Sequence, residues 1–126
     1  MSVPVRRRDP QAPQTELLLR LRFDGVKPLL GPGKVELLEQ IDSGGSISAA
    51  SRAMHMSYHR AWTIVNEINA MFREPLVQTQ LGGTAGGGAM ITPLGRDVVR
   101  RYRSIESSVW KHAAEHIAAL EAVTVR

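Results

Sequence analysis

The segment from His112 to His116 has the residue types that metal chemistry requires. It reads His-Ala-Ala-Glu-His, so a helix would place both imidazoles on one face beside a glutamate able to act as a base in a zinc site. That chemistry needs a further carboxylate ligand well downstream, and only Glu121 follows before the last residue, Arg126. We therefore predict no metal here, and a helix-surface or subunit-interface role for these residues.

Other groups that could support catalysis are missing or poorly placed. The chain has no cysteine, which excludes thiolate nucleophiles, thiolate zinc sites and disulfides. His55 and His59 lie on either side of a predicted turn without an adjacent carboxylate, and the serines lie at predicted helix starts. The glycine-rich segment 82–88 lacks the Gly-Lys-Ser/Thr ending of a phosphate-binding loop. We predict that the protein is not an enzyme and has no cofactor.

A run of polar residues after Ser57 has the chemistry needed to read DNA bases. Tyr58, His59, Arg60 and Thr63 lie beside an apolar helical stripe, and their donors and acceptors suit base edges in a major groove. A glycine-rich segment allows close backbone approach to a phosphate or a minor groove. The predicted DNA-binding residues are Ser46, Ser48, Ser57, Tyr58, His59, Arg60, Thr63, Asn66, Gly83, Thr84, Gly86 and Gly87.

The elements that would position these residues follow from periodicity and capping. Residues 1–15, with Arg6, Arg7 and Arg8, are predicted to form a disordered basic arm, and the alternation over 17–23 predicts a strand. Helices are predicted from Pro32 to the Ser43-Gly44-Gly45 stop, after Ser46, and from Ser57 to a point before Pro75, with Ala61, Val65, Ile68 and Phe72 facing inward. A hairpin of residues 76–81 and 89–91 follows.

A long helix is predicted from Leu94 to about Ala122, since Thr92-Pro93 provides a start and no later proline interrupts it. Its apolar positions recur every three or four residues, over a length that a domain this small cannot cover alone. We therefore predict a homodimer. The predicted dimerisation residues are Leu94, Val98, Tyr102, Ile105, Val109 and Leu120.

Size and charge limit the possibilities further. A chain of 126 residues and 13.9 kDa holds one compact domain with an extra helix or tail. The net charge of +4 favours a polyanionic partner only weakly, because residues 31–75 hold four basic and five acidic side chains. No apolar run resembles a membrane span or a signal peptide, so we expect a cytoplasmic protein without membrane association.

Several motifs together resemble a known family. They are Gly44 to Ser48, Ser57-Tyr58, Ala61-Trp62, Asn66 to Asn69, the glycine loop and Leu94-Gly95. Over about residues 17–122 the chain resembles the N-terminal DNA-binding domain of ModE-family molybdate-responsive transcriptional regulators, and more distantly the helix-turn-helix domains of LysR-type regulators. The resemblance implies a dimeric winged helix-turn-helix whose third helix and wing contact DNA. Full-length relatives continue into molybdate-binding domains, which we expect to be missing here; no site for that oxyanion is recognisable.

The sequence thus predicts a mostly α fold with a small β hairpin, a winged helix-turn-helix with a long C-terminal dimerisation helix. The predicted divisions are a basic arm (1–15), the DNA-binding domain (16–92) and the long helix and tail (93–126). The predicted function is a homodimeric transcriptional regulator that binds a roughly palindromic site in double-stranded DNA. The alternative is a protein-interaction or oligomerisation adaptor that uses the same fold without specific DNA binding.

Overall fold

The computed structural model describes residues 15–80 and 88–125. Its elements are α1 (Pro32–Gly44), α2 (Ile47–Ala53), α3 (Tyr58–Met71), β1 (Val77–Thr79), β2 (Ala89–Ile91) and α4 (Pro93–Glu121). The predicted mostly helical fold with a small antiparallel hairpin is confirmed. Residues 20–99 form one compact unit, and the described residues up to 19 form a second with those from 100 onward. The predicted basic arm, apart from residue 15, lies outside the described residues.

Local capping explains where the first three helices begin and end. Pro32 is at the start of α1, and Gly45 ends it in the left-handed conformation at φ 79°, with its N–H bonded to the Ile41 carbonyl. The hydroxyl of Ser46 accepts a hydrogen bond from the Ala49 N–H at 2.9 Å, which caps α2. Ser57 caps α3 in the same way. The helix boundaries predicted from proline, glycine and serine are therefore confirmed.

The turn between α2 and α3 is closed by two backbone hydrogen bonds. His55 donates to the Arg52 carbonyl and Met56 to the Ser51 carbonyl, which is the bonding pattern of a Schellman motif. The residue that takes the left-handed position is His55, at φ 56°, where glycine is usual. This turn fixes the direction in which α3 leaves α2, at the cost of one unfavourable backbone conformation.

The core of the larger unit lies between the three helices and the hairpin. Its buried members are Leu37, Leu38, Ile41, Ile47, Ala50, Ala61, Val65, Ile68, Leu76, Val77, Ala89 and Ile91. The predicted inward positions of α3 are confirmed at Ala61, Val65 and Ile68, whereas Phe72 is the extended residue that ends the helix and is half-buried. Met71, which the prediction omitted, is buried instead.

The hairpin is short, and its base is attached to the helices. Val77 pairs with Ile91 and Thr79 with Ala89, so β2 matches the prediction while β1 is shorter than the predicted 76–81. The Ala89 N–H also donates to the Gly45 carbonyl at 2.9 Å. One backbone bond therefore joins the start of β2 to the turn between α1 and α2.

The strand predicted over residues 17–23 is wrong. The structure has a single bridge there, in which Leu21 and Leu30 exchange backbone hydrogen bonds of 2.8 and 2.9 Å. The next hydrogen-bonding positions in this register, two residues away in either direction, fall on Pro28 and Pro32, which have no N–H to donate. The predicted alternation in burial holds over residues 17–22 without a ladder, since Leu19 and Leu21 are less exposed than their neighbours, but it fails at Phe23, which is exposed.

The start of α4 fits closely against Leu76, the residue just before β1. The Thr92 hydroxyl donates to the Pro75 carbonyl and accepts from the Gly95 N–H, so the predicted N-terminal cap of the long helix is confirmed. A Cβ on Gly95 would lie 2.5 Å from the Leu76 carbonyl oxygen. Glycine therefore permits an approach between helix and strand that other residues would prevent.

The smaller unit contains the rest of α4 and a buried ion pair. Glu106 is 1% exposed, and its carboxylate accepts a hydrogen bond from Arg103 at 2.7 Å. Tyr102 is also buried, and its hydroxyl donates to the Leu19 carbonyl. A buried carboxylate is costly unless it is paired, and the hydrogen bond from Arg103 offsets part of that cost for Glu106.

Candidate nucleic-acid interface

The side of α3 opposite its buried stripe carries most of the residues predicted to bind DNA. Tyr58, His59, Arg60, Thr63 and Asn66 are all exposed. With 100° between successive helical residues, His59, Thr63 and Asn66 point directly away from the stripe and form the outer face of α3. The structure therefore brings these three together on one surface.

The Thr63 hydroxyl on this outer face already donates to the His59 carbonyl one turn earlier, at 3.1 Å. Its oxygen keeps acceptor capacity and its methyl group stays exposed. His59 and Asn66 provide the stronger donors and acceptors of the outer face. Asn is suited to bidentate hydrogen bonding with adenine, and His offers one donor and one acceptor in its neutral form.

Tyr58 and Trp62 form an aromatic pair on one edge of the outer face. Their rings meet edge to face, with centroids 6.2 Å apart. Trp62 is half-buried against the core, whereas Tyr58 is 53% exposed. The indole thus supports the phenol, which presents an exposed ring and hydroxyl.

Arg60 lies on the opposite edge, toward α1. It lines an open cavity of about 460 Å³ together with Arg20, Lys34, Met54, Met56, Ile64, Glu67 and neighbouring residues of the α1 start. Glu67 pairs with Lys34 at 3.6 Å, and its side chain is partly exposed, so the pair contributes little stability. The three cations outnumber the single carboxylate and make this edge of α3 basic.

The three predicted serines have structural partners in this structure. Ser46 and Ser57 accept the capping hydrogen bonds of α2 and α3. Ser48 accepts from the Arg52 guanidinium at 2.8 Å, while Ser51 donates to the Ser48 carbonyl. Each hydroxyl keeps its own proton available as a donor, so capping and phosphate contact are compatible at Ser46 and Ser57.

The predicted wing residues Gly83, Thr84, Gly86 and Gly87 lie outside the described residues. The base of the hairpin is described: Gln80 donates to the Gly88 carbonyl at 2.8 Å. A Cβ on Gly88 would lie 3.3 Å from the Gly45 carbonyl oxygen. Gly88 is thus part of the packed base of the hairpin.

The six residues predicted to dimerise divide into two groups. Leu94 and Val98 are partly buried against the core of their own chain, and Tyr102 is buried. Ile105, Val109 and Leu120 are 39%, 37% and 65% exposed. The second group forms an unusual apolar strip on a helix surface, and its role in dimerisation stays a prediction.

Asn69 is a structural residue that the sequence interpretation did not recognise. Its side-chain oxygen accepts from the Leu76 and Val77 N–H groups at 2.9 and 3.0 Å, and its nitrogen donates to the Val77 carbonyl at 3.1 Å. These bonds fix the start of β1 against α3. The sequence does contain a signal for this role, namely an asparagine near the predicted end of a helix. Its side-chain amide can form hydrogen bonds with backbone groups of the segment that follows.

Among residues 15–80 and 88–125, no three or more His, Cys, Asp or Glu side chains are grouped so that they could hold a metal ion. In the same part of the chain, no helix combines the length and the apolar character that membrane crossing requires.

The chain is similar to known proteins over most of its length. It is 43% identical over 82 residues to the molybdenum-pterin-binding protein MopB of Rhodobacter capsulatus, covering 65% of this chain and 30% of MopB. It is 38% identical over 93 residues to the molybdenum transport protein ModE of Azotobacter vinelandii, covering 73% and 34%. The DNA-binding transcriptional dual regulator ModE of Escherichia coli K12 is 36% identical over 89 residues, covering 71% and 34%.

The chain therefore spans about a third of the length of these relatives. No family model matches it. The relatives are transcriptional regulators and molybdenum-binding or molybdenum-transport proteins by name, and they support a regulator-like role.

Proposed function

We propose that the chain is a cytoplasmic DNA-binding transcriptional regulator of the ModE type, built as a winged helix-turn-helix. In this assignment α2 and α3 form the helix-turn-helix and the β1–β2 hairpin is the wing. The order of elements, the tight turn at His55 and the hairpin after α3 support it. Similarity to proteins named as ModE transcriptional regulators supports the same assignment.

One observation carries the proposal: α3 buries Ala61, Val65 and Ile68 while its outer face keeps polar side chains exposed. A recognition helix needs this division, because it packs on its own domain with one side and enters the major groove with the other. His59, Thr63 and Asn66 take the base-reading role.

We assign different DNA contacts to the residues on the two edges of the outer face. We assign Tyr58 to apolar contact with thymine methyl groups or sugars, since its ring is exposed and supported by Trp62. Arg60 is placed toward the basic edge, where it reaches a guanine or a backbone phosphate. The Ser46 and Ser57 hydroxyls, at the starts of α2 and α3, donate to phosphates.

Dimerisation through α4 completes the proposal. The helix is 29 residues long, and the exposed apolar strip of Ile105, Val109 and Leu120 lies on its later turns. Pairing two copies through this strip would present two α3 helices to a roughly palindromic site. No described residue is assigned to a molybdenum ligand.

The test is selection of bound genomic fragments by the full chain, followed by affinity measurements over a salt series. A specific regulator retains a small set of related sequences and loses affinity for them steeply as salt rises, because phosphate contacts release counterions. Substituting Asn66→Ala should relax the preference at one base position per half-site. Retention of no common sequence would refute DNA recognition.

An adaptor without specific DNA binding is the second candidate. The five acidic against four basic residues in segment 31–75 favour it, because phosphate contact needs a basic surface. The same selection separates the two functions, since an adaptor would retain random fragments or none. An adaptor would also keep its partner binding when the outer face of α3 is substituted.

A further inference from the structure

His112 and His116 are two exposed imidazoles on the same side of α4. They are four residues apart within one uninterrupted helix, and both side chains are exposed. Residues at this spacing have Cβ atoms about 5–6 Å apart, which is the arrangement by which helical histidine pairs share one metal ion. The proposed DNA-binding function makes no use of either side chain.

The environment of His112 selects the nitrogen that a metal would use. Its Nδ1 lies 2.8 Å from the Ser108 carbonyl oxygen. A carbonyl can only accept, so this contact places the proton on Nδ1 and leaves the Nε2 lone pair free. Metal-ligating histidines commonly have such a bond from their second nitrogen, because it holds the ring and raises its basicity.

His116 lies one helical turn after His112 on the same side of α4. Helical side chains lean toward the N-terminus and lie over the preceding turn, so the His116 ring leans toward the turn that holds His112, whose own ring contacts Ser108. Glu115 is three residues from His112 and exposed, and it adds a negative charge on the same side of the helix. The pair therefore offers two imidazoles one turn apart beside a carboxylate.

Against the sequence-based prediction of no metal in this segment, we propose that His112 and His116 bind one late divalent transition-metal cation per chain, with Cu²⁺ preferred over Ni²⁺ and Zn²⁺. Imidazole suits these ions, and the order follows their general affinity for nitrogen ligands. The described residues contain no group of three or more metal-ligating side chains, so water completes the coordination. The site contains no residue assigned to DNA contact, so metal binding and DNA recognition can fail separately, although both imidazoles lie on the side of α4 that carries the proposed dimerisation strip.

The experiment is calorimetric titration of the full chain, free of any affinity tag, with CuCl₂, NiCl₂ and ZnCl₂. We expect one equivalent of metal per chain and the affinity order Cu²⁺ first. His112→Ala and His116→Ala should each weaken binding at least about tenfold, since loss of an outer-shell partner alone typically costs that much. Binding unchanged in either variant overturns the proposal. Circular dichroism checks that these exposed positions leave the helix intact.

Two control variants separate a shared site from general histidine affinity. Ala114→His with His116→Ala keeps the number of histidines but spaces the pair by two residues, so that the rings do not face each other; binding should fall as in His116→Ala. His55→Gly with His59→Ala removes a pair of equal sequence spacing in which only His59 is helical, and binding should persist. Either control behaving in the opposite way refutes the assignment.

Discussion

Replacing Gly95 by alanine tests the close fit between α4 and the backbone of Leu76, just before β1. The added Cβ would lie 2.5 Å from the Leu76 carbonyl oxygen and 3.3 Å from the Ile91 Cβ. The Leu76 backbone has little freedom to retreat, because its N–H is bonded to Asn69 and its carbonyl accepts from the Thr92 N–H. The substitution must therefore displace α4 or β1.

The size of the effect follows from two opposing contributions. Overpacking a rigid site costs about 1–3 kcal/mol, while replacing glycine in a helix gains at most about 1 kcal/mol. The contact is with backbone, so we expect the upper part of the first range and a net loss of about 2 kcal/mol. For a domain of this size that loss lowers the melting temperature by roughly 8 °C or more.

Gly33→Ala is the matched control. Gly33 occupies the same first helical turn in α1, after a proline, and a Cβ there would meet nothing within 4 Å. It should leave stability unchanged or raise it by up to about 1 kcal/mol. Urea unfolding of both variants measures the difference. If Gly95→Ala is as stable as Gly33→Ala, the close approach does not constrain the fold and the reasoning is wrong.

Four more substitutions test other features. His55→Gly should raise unfolding free energy by up to about 1 kcal/mol, because glycine takes the left-handed position without strain; a loss in urea denaturation would contradict this. Asn69→Ala should cost about 2–3 kcal/mol by removing three hydrogen bonds to the β1 backbone, again measured in urea. Ile105→Asp with Val109→Asp should give monomers in sedimentation without loss of helix content, and an unchanged dimer would exclude this strip as the interface. Arg60→Ala should change the preference at one base of each half-site by ~1–3 kcal/mol in competition binding if it reads guanine; a uniform loss across sequences would assign it to phosphate instead.

Features with a local cause could be predicted from the sequence. Ser46, Ser57 and Thr92 cap helices through side chains that reach only three residues along the chain. Pro32 and Gly45 mark the two ends of α1 for equally local reasons. The helical period also predicts which residues form the outer face of α3, once Ala61 and Val65 are assigned to the core.

Features that depend on distant contacts could not be predicted in this way. The alternation over residues 17–22 indicates which side chains turn inward, but a β-strand also needs a partner segment that can form backbone hydrogen bonds. Pro28 occupies a position of the partner segment that would have to donate an N–H, and proline has none. Burial of Glu106 gives no periodic signal, since its charge suggests an exposed position. The partners of Asn69 are seven and eight residues away.

The bond from the Ala89 N–H to the Gly45 carbonyl has a mechanical consequence. Gly45 lies immediately before Ser46, the residue that caps α2, so the peptide unit between them links the start of β2 to the start of α2. This backbone link acts in addition to the core packing of Ala89 and Ile91. A displacement of β2 is therefore transmitted to the start of α2 through backbone atoms as well as through side chains.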